Sequence, residues 1–466
     1  VTEPSEYLSP SILDSRRLFG PNLFDAHAGA VLDVECATAN HRRAVDAWSE
    51  HARHLTDALG WSDAKVVVRS DTHGASLFIS APVDGLMTAT DLTEHAWVAA
   101  EATSSGVAAH DATSLLREKY ARERQGLPHV VAIAQYARER QLSFSLDDDG
   151  CSAGSGAGVR VFLHSDVAVD DVAEFDESWE TARDVPVLLV TGSNGKTTTT
   201  RLVAAMFRAC GRVTGWSCSD GVWVNATQVE QGDYTGPSGA RRVLCDPSVE
   251  AVVLETARGG MLRRGLAIDR VHGAIITNIS ADHYGEYGVE TLEDLARVKA
   301  IVARALRPDA WLVLNADDPT LVDLAKSLTV PIAWFRASGA VDAVWGDEMA
   351  HAACVRHEHL WIRDEGTWHD LGAVREMPIT LDGRAQHNVA NAAGAALLAS
   401  IAGVPIAAIR TALAAFGASP FDNPGRLMIR PFGGITVVMD YAHNPDGIAS
   451  LCRTAAAMPA ARRLLL

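Results

Sequence analysis

Val187-Leu-Leu-Val-Thr-Gly-Ser-Asn-Gly-Lys-Thr-Thr-Thr-Thr-Arg-Leu-Val-Ala-Ala-Met206 is the stretch on which the reading of this chain turns. It opens as a short apolar run of strand type. It closes with Leu202, Met206 and Ala209 spaced along one helical face, and Gly211 stops the pattern. Between the two lies Thr191-Gly-Ser-Asn-Gly-Lys-Thr-Thr198. Glycines in such a loop let successive backbone N–H groups point at one anion, and the helix N-terminus adds partial positive charge. Lys196 brings a full charge to terminal phosphates, and Thr197 offers a hydroxyl to Mg²⁺. Gly192, Ser193, Asn194, Gly195, Lys196, Thr197 and Thr198 are therefore candidate contacts of a nucleoside triphosphate. The loop departs from the general Gly-x-x-x-x-Gly-Lys-Ser/Thr pattern at its first position, where Val190 stands in place of glycine.

Outward from this loop, apolar runs of a few residues alternate with helical stretches. Val185–Val190, Ala251–Leu254, Ala274–Thr277, Leu312–Leu314 and Ile332–Phe335 are the expected strands. That order predicts an α/β domain with a parallel sheet covered on both faces. Ligands of such sheets sit at the carboxyl ends of the strands, so the residues after each run are the ones to read for chemistry. Glu255 follows the second run and places a hard oxygen where Mg²⁺ would be held. The third run leads to Asn278 and to Asp282-His283, and Lys299 lies in a helical pattern that begins near Thr291. Taken alone, Lys299 reads as a solvated helix lysine.

Before the loop, Val45, Trp48, Ala52, Leu55 and Leu59 predict a helix over His41–Trp61. Lys65–Arg69 and Ala75–Ile79 read as strands, and helical patterns follow near 90–103, 112–125 and 129–141. Residues 1–150 are thus expected to be a small α+β domain. Asp147-Asp-Asp-Gly150 and the glycine-rich Cys151–Gly158 read as a linker, with 151–183 leading into the nucleotide domain. At the other end, Asp440-Tyr-Ala-His-Asn-Pro445 is followed by a helical pattern to about Met458, and Arg463–Leu466 reads as the start of an apolar strand.

The 466 residues suit two or three domains of ~150 residues each. Lys plus Arg number 41 against 58 Asp plus Glu, a net charge of -17, which argues against a general nucleic-acid binder. No run approaches the ~20 apolar residues of a membrane span. Nothing in Val1–Ser15 reads as a signal peptide, and the seven cysteines are scattered singly, so a cytoplasmic protein with reduced thiols is expected. His351, Cys354, His357, His359 and His369 are dense enough to consider for zinc. The strand-like alternation of Ala352–Ile362 sets Cys354 on the face opposite His357 and His359, so exposed hairpin histidines are the expectation.

Several motifs in order, from the phosphate loop through Glu255, Asn278 with Asp282-His283, Lys299, Asn315-Ala-Asp-Asp-Pro319, His387-Asn-Val-Ala-Asn391, Pro424-Gly-Arg426 and Asp440-Tyr-Ala-His-Asn-Pro445, resemble the Mur ligase family. Ser219-Asp-Gly221, Gly232-Asp-Tyr-Thr-Gly-Pro237 and Glu255-Thr-Ala-Arg-Gly-Gly260 bring the likeness nearest to its cyanophycin synthetase branch. Ser15-Arg-Arg-Leu-Phe-Gly-Pro-Asn22 and Leu92-Thr-Glu-His95 resemble that branch's N-terminal domain less distinctly.

The resemblance implies a central P-loop ATPase domain over 184–422 and the start of a Rossmann-like C-terminal domain from 423 to 466. It implies an ATP-dependent ligase that makes an acyl phosphate from a carboxylate and passes the acyl group to an amine. Thr197 and Glu255 would hold a first Mg²⁺; His283 and Lys299 would hold a second, Lys299 as a carbamate formed with CO₂. Asn278 and Asn391 would contact the nucleotide, Asn391 at the adenine, and Arg426 and Asp440 would reach phosphates and ribose. The partners implied are ATP, an amino acid such as arginine and a peptide carboxylate, with no nucleic acid or membrane. The branch carries an ATP-grasp module where this chain has only 151–158, so aspartate addition is expected to be absent. The residues after Asn423 are too few for the family's last domain, which leaves open a fragment, a homo-oligomer or a partner synthetase that completes the site. Two other readings stay open: a non-catalytic ATP-binding partner, and another P-loop ATPase or kinase.

Overall fold

The structure, a computed structural model, describes residues 9, 11–165, 177–282, 284–337 and 349–465. The chain forms two compact units. The first comprises residues 1–183 with two later segments, 258–269 and 285–290.

In the first unit, β1 (Ile12–Leu18), β2 (Gly29–Glu35), β3 (Val66–Ser70) and β4 (Gly74–Ser80) make an antiparallel sheet in the order β1-β2-β4-β3. Helices Ala39–Ala58 and Leu86–Ser104 cover it. The first begins where the Thr38 hydroxyl accepts the His41 N–H, an N-cap that satisfies one otherwise unpaired donor. Trp48 and Trp97 are fully buried between helices and sheet. Each indole N–H has a partner, the Thr93 carbonyl at 3.2 Å and the Ser11 hydroxyl at 2.9 Å. The two later segments belong here through Arg16, which donates to the Leu262 carbonyl, and Arg69, which donates to the Tyr287 and Gly288 carbonyls.

The expected linker is a folded element instead. β5 (Phe144–Leu146), β6 (Gly150–Ala153) and β7 (Arg160–Leu163) form a second antiparallel sheet, with β6 at its centre. Cys151 and Ala153 are fully buried in a cluster with Val130, Ile133 and Tyr136 of helix Pro128–Glu139. The small residues mark close packing here. A Cβ on Gly150 would stand 2.1 Å from the Phe162 carbonyl oxygen, so only glycine lets β6 and β7 pair.

The second unit is built on an eleven-stranded sheet. Its strands are β8 (Val187–Thr191), β9 (Thr214–Cys218), β10 (Gly221–Val224), β11 (Thr227–Gln231), β12 (Ala251–Glu255), β13 (Val271–Ile276), β14 (Leu306–Asn315), β15 (Ile332–Arg336), β16 (Ala352–Arg356), β17 (His359–Asp364) and β18 (Thr367–Ala373). The order is β11-β10-β9-β12-β8-β13-β14-β15-β16-β17-β18. From β9 to β16 neighbours are parallel, and an antiparallel pair closes each edge. The α/β architecture expected from the alternating pattern is thus present. Helices Lys196–Ala209 and Gln386–Ile401 pack in the core against the sheet. The latter is buried along nearly its whole length, which is why its alanine-rich sequence shows no amphipathic period.

A hairpin of β19 (Met428–Phe432) and β20 (Ile435–Met439) and a helix over Pro445–Ala457 complete the described chain. The strand expected at Arg463–Leu466 does not form among the described residues. Arg463 instead donates to the Ala455, Ala456 and Met458 carbonyls and satisfies the end of that helix. No helix among the described residues is long and apolar enough to cross a membrane.

Candidate functional site

Strands β12, β8 and β13 are neighbours, so their carboxyl ends bring Glu255, the phosphate loop and Asn278 together. The loop's backbone is held in an unusual shape. Gly192 has φ 146° and a Cβ there would lie 1.9 Å from Thr277 Oγ1; Gly195 has φ 83° and a Cβ there would lie 2.3 Å from Asn391 Oδ1. Neither position admits a side chain. The Asn278 carbonyl accepts the Ser193 N–H and its side-chain oxygen accepts the Asn194 N–H, both at 2.9 Å. Thr277 Oγ1 and Asn278 Nδ2 both donate to the Asn194 carbonyl. Asn278 thus braces the loop through the protein itself.

Lys196 lies at the start of its helix and donates to the Gly192 and Ser193 carbonyls at 3.0 Å each. Burial pushes its ammonium below the ordinary lysine value, against the pull of Glu255, Asp282 and Asp233. Glu255 is 3% exposed, and burial raises its carboxyl above the usual range, opposed first by Lys196 and then by Thr197 and Arg426. Each group's charge supports the other's.

Beside Glu255 is a set of hard oxygens. Thr197 Oγ1 and Ser219 Oγ are 3.2 Å apart, and the Ser219 N–H reaches Glu255 Oε2 at 3.4 Å. Arg426 Nη2 donates to Ser219 Oγ at 3.0 Å and Thr197 Oγ1 at 3.3 Å, so a cation already sits on this set. One carboxylate with hydroxyls suits Mg²⁺, which keeps water and phosphate oxygens as its other ligands. No group of three or more His, Cys, Asp or Glu among the described residues could hold a metal, which applies also to the hairpin histidines; His359, for example, pairs with Asp370. His283, expected with Lys299 at a second metal, lies outside the described residues.

Lys299 closes helix Leu292–Lys299, which starts with a capping box of Thr291 and Asp294. It is 2% exposed and donates to the Gly192 carbonyl at 2.8 Å, so it is a buried neighbour of the phosphate loop and not a solvated lysine. Asn391 is buried against Gly195, with its Nδ2 on Asn388 Oδ1 at 3.1 Å. Asp440 accepts the Leu427 N–H at 2.7 Å. Asp318, within the Asn315–Pro319 motif, caps helix Pro319–Ala325 and accepts the Ile279 N–H, a bracing role behind the loop.

A cleft of about 540 Å³ gathers Lys196, Thr197, Glu255, Asn278, Asn391, Arg426 and Asp440 along its walls. Three of its supports are not among the site residues expected from the sequence. Ser219 belongs to the cation set; Asn423 joins Thr198 Oγ1 and Arg201 Nη1 to the segment before Arg426; Asn444 donates to Asn194 Oδ1 at 3.1 Å. The Ser219-Asp-Gly221 and Asn444-Pro445 motifs were visible, but their contacts are not local and carry no spacing signal.

Residues 190–399 match the Mur ligase middle domain. Over 263 residues, the chain is 39% identical to a cyanophycin synthetase of Nostoc sp. (strain PCC 7120 / SAG 25.82 / UTEX 2576), covering 56% of this chain and 29% of that protein. It is 32% identical over 288 residues to a UDP-N-acetylmuramoyl-L-alanyl-D-glutamate--2,6-diaminopimelate ligase of Thermosynechococcus vestitus, covering 59% of this chain and 53% of the relative. The match to the Nostoc protein therefore spans under a third of its length. Among solved structures, E. coli FolC in complex with DHPP and ADP aligns with a TM-score of 0.44 and 21% identity, over 60% of this chain and 67% of that one.

Proposed function

We propose that this chain, built around a Mur ligase middle domain, is an ATP-dependent carbon–nitrogen ligase that joins an amino acid to a peptide carboxylate through an acyl phosphate. The observation that carries this reading is the meeting of Lys196, Thr197, Glu255 and Arg426 in one cleft at the carboxyl ends of β8 and β12. A carboxylate and a triphosphate repel one another, so a site that joins them must collect cations and hold both in line. Lys196 neutralises the terminal phosphates. The acceptor carboxylate attacks the γ-phosphorus, ADP leaves, and the amine then displaces phosphate from the acyl phosphate. Thr197 and Glu255, with Ser219 beside them, hold Mg²⁺, which supplies charge for the transferring phosphoryl group. His283 and Lys299 serve a second divalent ion, Lys299 as a carbamate; its burial against the Gly192 carbonyl supports a role at the loop. Asn391 and Asp440 contribute to nucleotide binding, Asn391 from its place against Gly195.

Arginine as the amine and an aspartate side chain as the acceptor are the substrates we favour, supported by the likeness to a protein named cyanophycin synthetase. The test is phosphate release from Mg-ATP with a mixture of amino acids and aspartate-rich peptides, by this chain and by Lys196→Ala. Turnover that requires both amino acid and acceptor and is lost in the variant supports the ligase, and omitting amino acids one at a time identifies the amine. ATP binding without such turnover points to a non-catalytic nucleotide-binding partner. Turnover indifferent to the amine points to another P-loop ATPase or kinase.

A further inference from the structure

The structure assigns Arg426 a second role, as a built-in cation that competes with Mg²⁺ for the oxygens of Thr197, Ser219 and Glu255; this rests on the reading of that set as the metal site. Its Nη2 donates to both hydroxyls, and its charge is among those that hold down the Glu255 carboxyl. A guanidinium and a hydrated divalent ion cannot occupy the same oxygens together. Binding the metal therefore requires Arg426 to leave.

The surrounding geometry permits that exchange. Asn423, three residues earlier, is buried and fixed to Thr198 and Arg201. Gly425 has φ 70°, and a Cβ there would meet nothing within 4 Å, so a turn with free space separates the anchor from Arg426. Beyond the guanidinium, the Tyr441 ring stacks on it with 4.5 Å from Cζ to the ring centroid, and that tyrosine is 62% exposed. Arg426 is thus pinned at its oxygen end and faced, at its guanidinium, by a ring that is itself largely exposed. A triphosphate in the cleft offers the displaced guanidinium new anionic partners, to which Arg donates in a planar fork. Metal and nucleotide then enter as a coupled pair, since the nucleotide relieves the site of the competing cation. Metal alone meets the full competition.

The test uses Mn²⁺ alone, followed by electron paramagnetic resonance without nucleotide, on the wild type, Arg426→Met, Arg426→Lys and Glu255→Gln. The expected result is Mn²⁺ binding at least about fivefold tighter in Arg426→Met, the low end of usual couplings between sites. Arg426→Lys, which keeps a cation, is expected to stay nearer the wild type. A gain of affinity cannot come from a variant that fails to fold. In the same samples with chelator, metal-free ATP is expected to bind Arg426→Met more weakly than wild type, by calorimetry. Unchanged or weaker Mn²⁺ binding in Arg426→Met overturns the exchange, as does an equal gain in Arg426→Lys. Mn²⁺ binding that survives Glu255→Gln overturns the metal-site reading itself and the exchange with it, so the two failures are told apart.

Discussion

His272 sits at the end of the sheet opposite the cleft, and its environment fixes how stability of the second unit should respond to acid. Its Nδ1 accepts the Val187 N–H at 3.2 Å, and Arg307 Nη1 stands 2.6 Å from its Nε2. Both ring nitrogens thus face donors, an arrangement that disfavours the protonated ring. Arg307 is itself held by both oxygens of Asp309. Burial first, and Arg307 second, bring the imidazole from its ordinary value near 6.5 down to about 4. The folded state therefore keeps His272 neutral while the unfolded chain takes up a proton below pH 6.5. This contribution to stability is complete above that pH and is lost as pH falls toward about 4. At about 1.4 kcal/mol for each pH unit, the loss over that window amounts to about 3 kcal/mol. His272→Asn keeps a side-chain acceptor and removes the titration. The difference in urea unfolding free energy between wild type and variant is expected to narrow by roughly 2–3 kcal/mol between pH 7.5 and 4.5. His95, His129 and His387 are also lowered, mainly by burial, and they affect both proteins equally. Stability curves that stay parallel across this range would refute the reasoning.

Gly195→Ala places a Cβ 2.3 Å from Asn391 Oδ1 at a residue with φ 83°, so ATP affinity should fall about tenfold or more by calorimetry. Unchanged affinity would show that the loop tolerates a different backbone. Ala153→Leu inserts bulk into a fully buried position of β6 and should cost about 1–3 kcal/mol in denaturant unfolding. A linker residue would shift stability by no more than about 0.5 kcal/mol, so a near-neutral result contradicts the packing described here. Asn423→Ala deprives Thr198 and Arg201 of a shared buried partner, a loss of about 1–3 kcal/mol. It should also speed proteolysis within 424–465, and an unchanged cleavage rate counts against Asn423 as the anchor of that segment.

The parallel sheet was legible because buried strands read as short apolar runs, and the phosphate loop because Gly192 and Gly195 stand where no other residue fits. Cys151–Gly158 reads as a linker and folds as part of a sheet for a physical reason: a strand that lets another backbone approach closely uses the same glycine, serine and alanine as a flexible connection. What separates them is the helix Pro128–Glu139 packed on β6, and that contact leaves no mark on the residues of β6 themselves. Lys299 shows the same limit in reverse. Its helix pattern and capping box describe a surface segment, and only the fold reveals that its last turn ends at the Gly192 carbonyl.

The cation site carries the point furthest. Thr197 and Arg426 are 229 positions apart, and Ser219 comes from a turn between β9 and β10, so no spacing rule joins them. Each has a local explanation: a loop hydroxyl, a turn serine, an arginine after Pro-Gly. Glu255 changes the meaning of all three, because a buried carboxylate at a strand end requires nearby positive charge. In this fold Lys196 and Arg426 both answer that requirement, one fixed on the loop carbonyls and one on a chain segment that turns at Gly425. A site with one fixed and one movable cation can accept a divalent ion by exchanging the movable one, without leaving Glu255 unpaired at either end of the exchange.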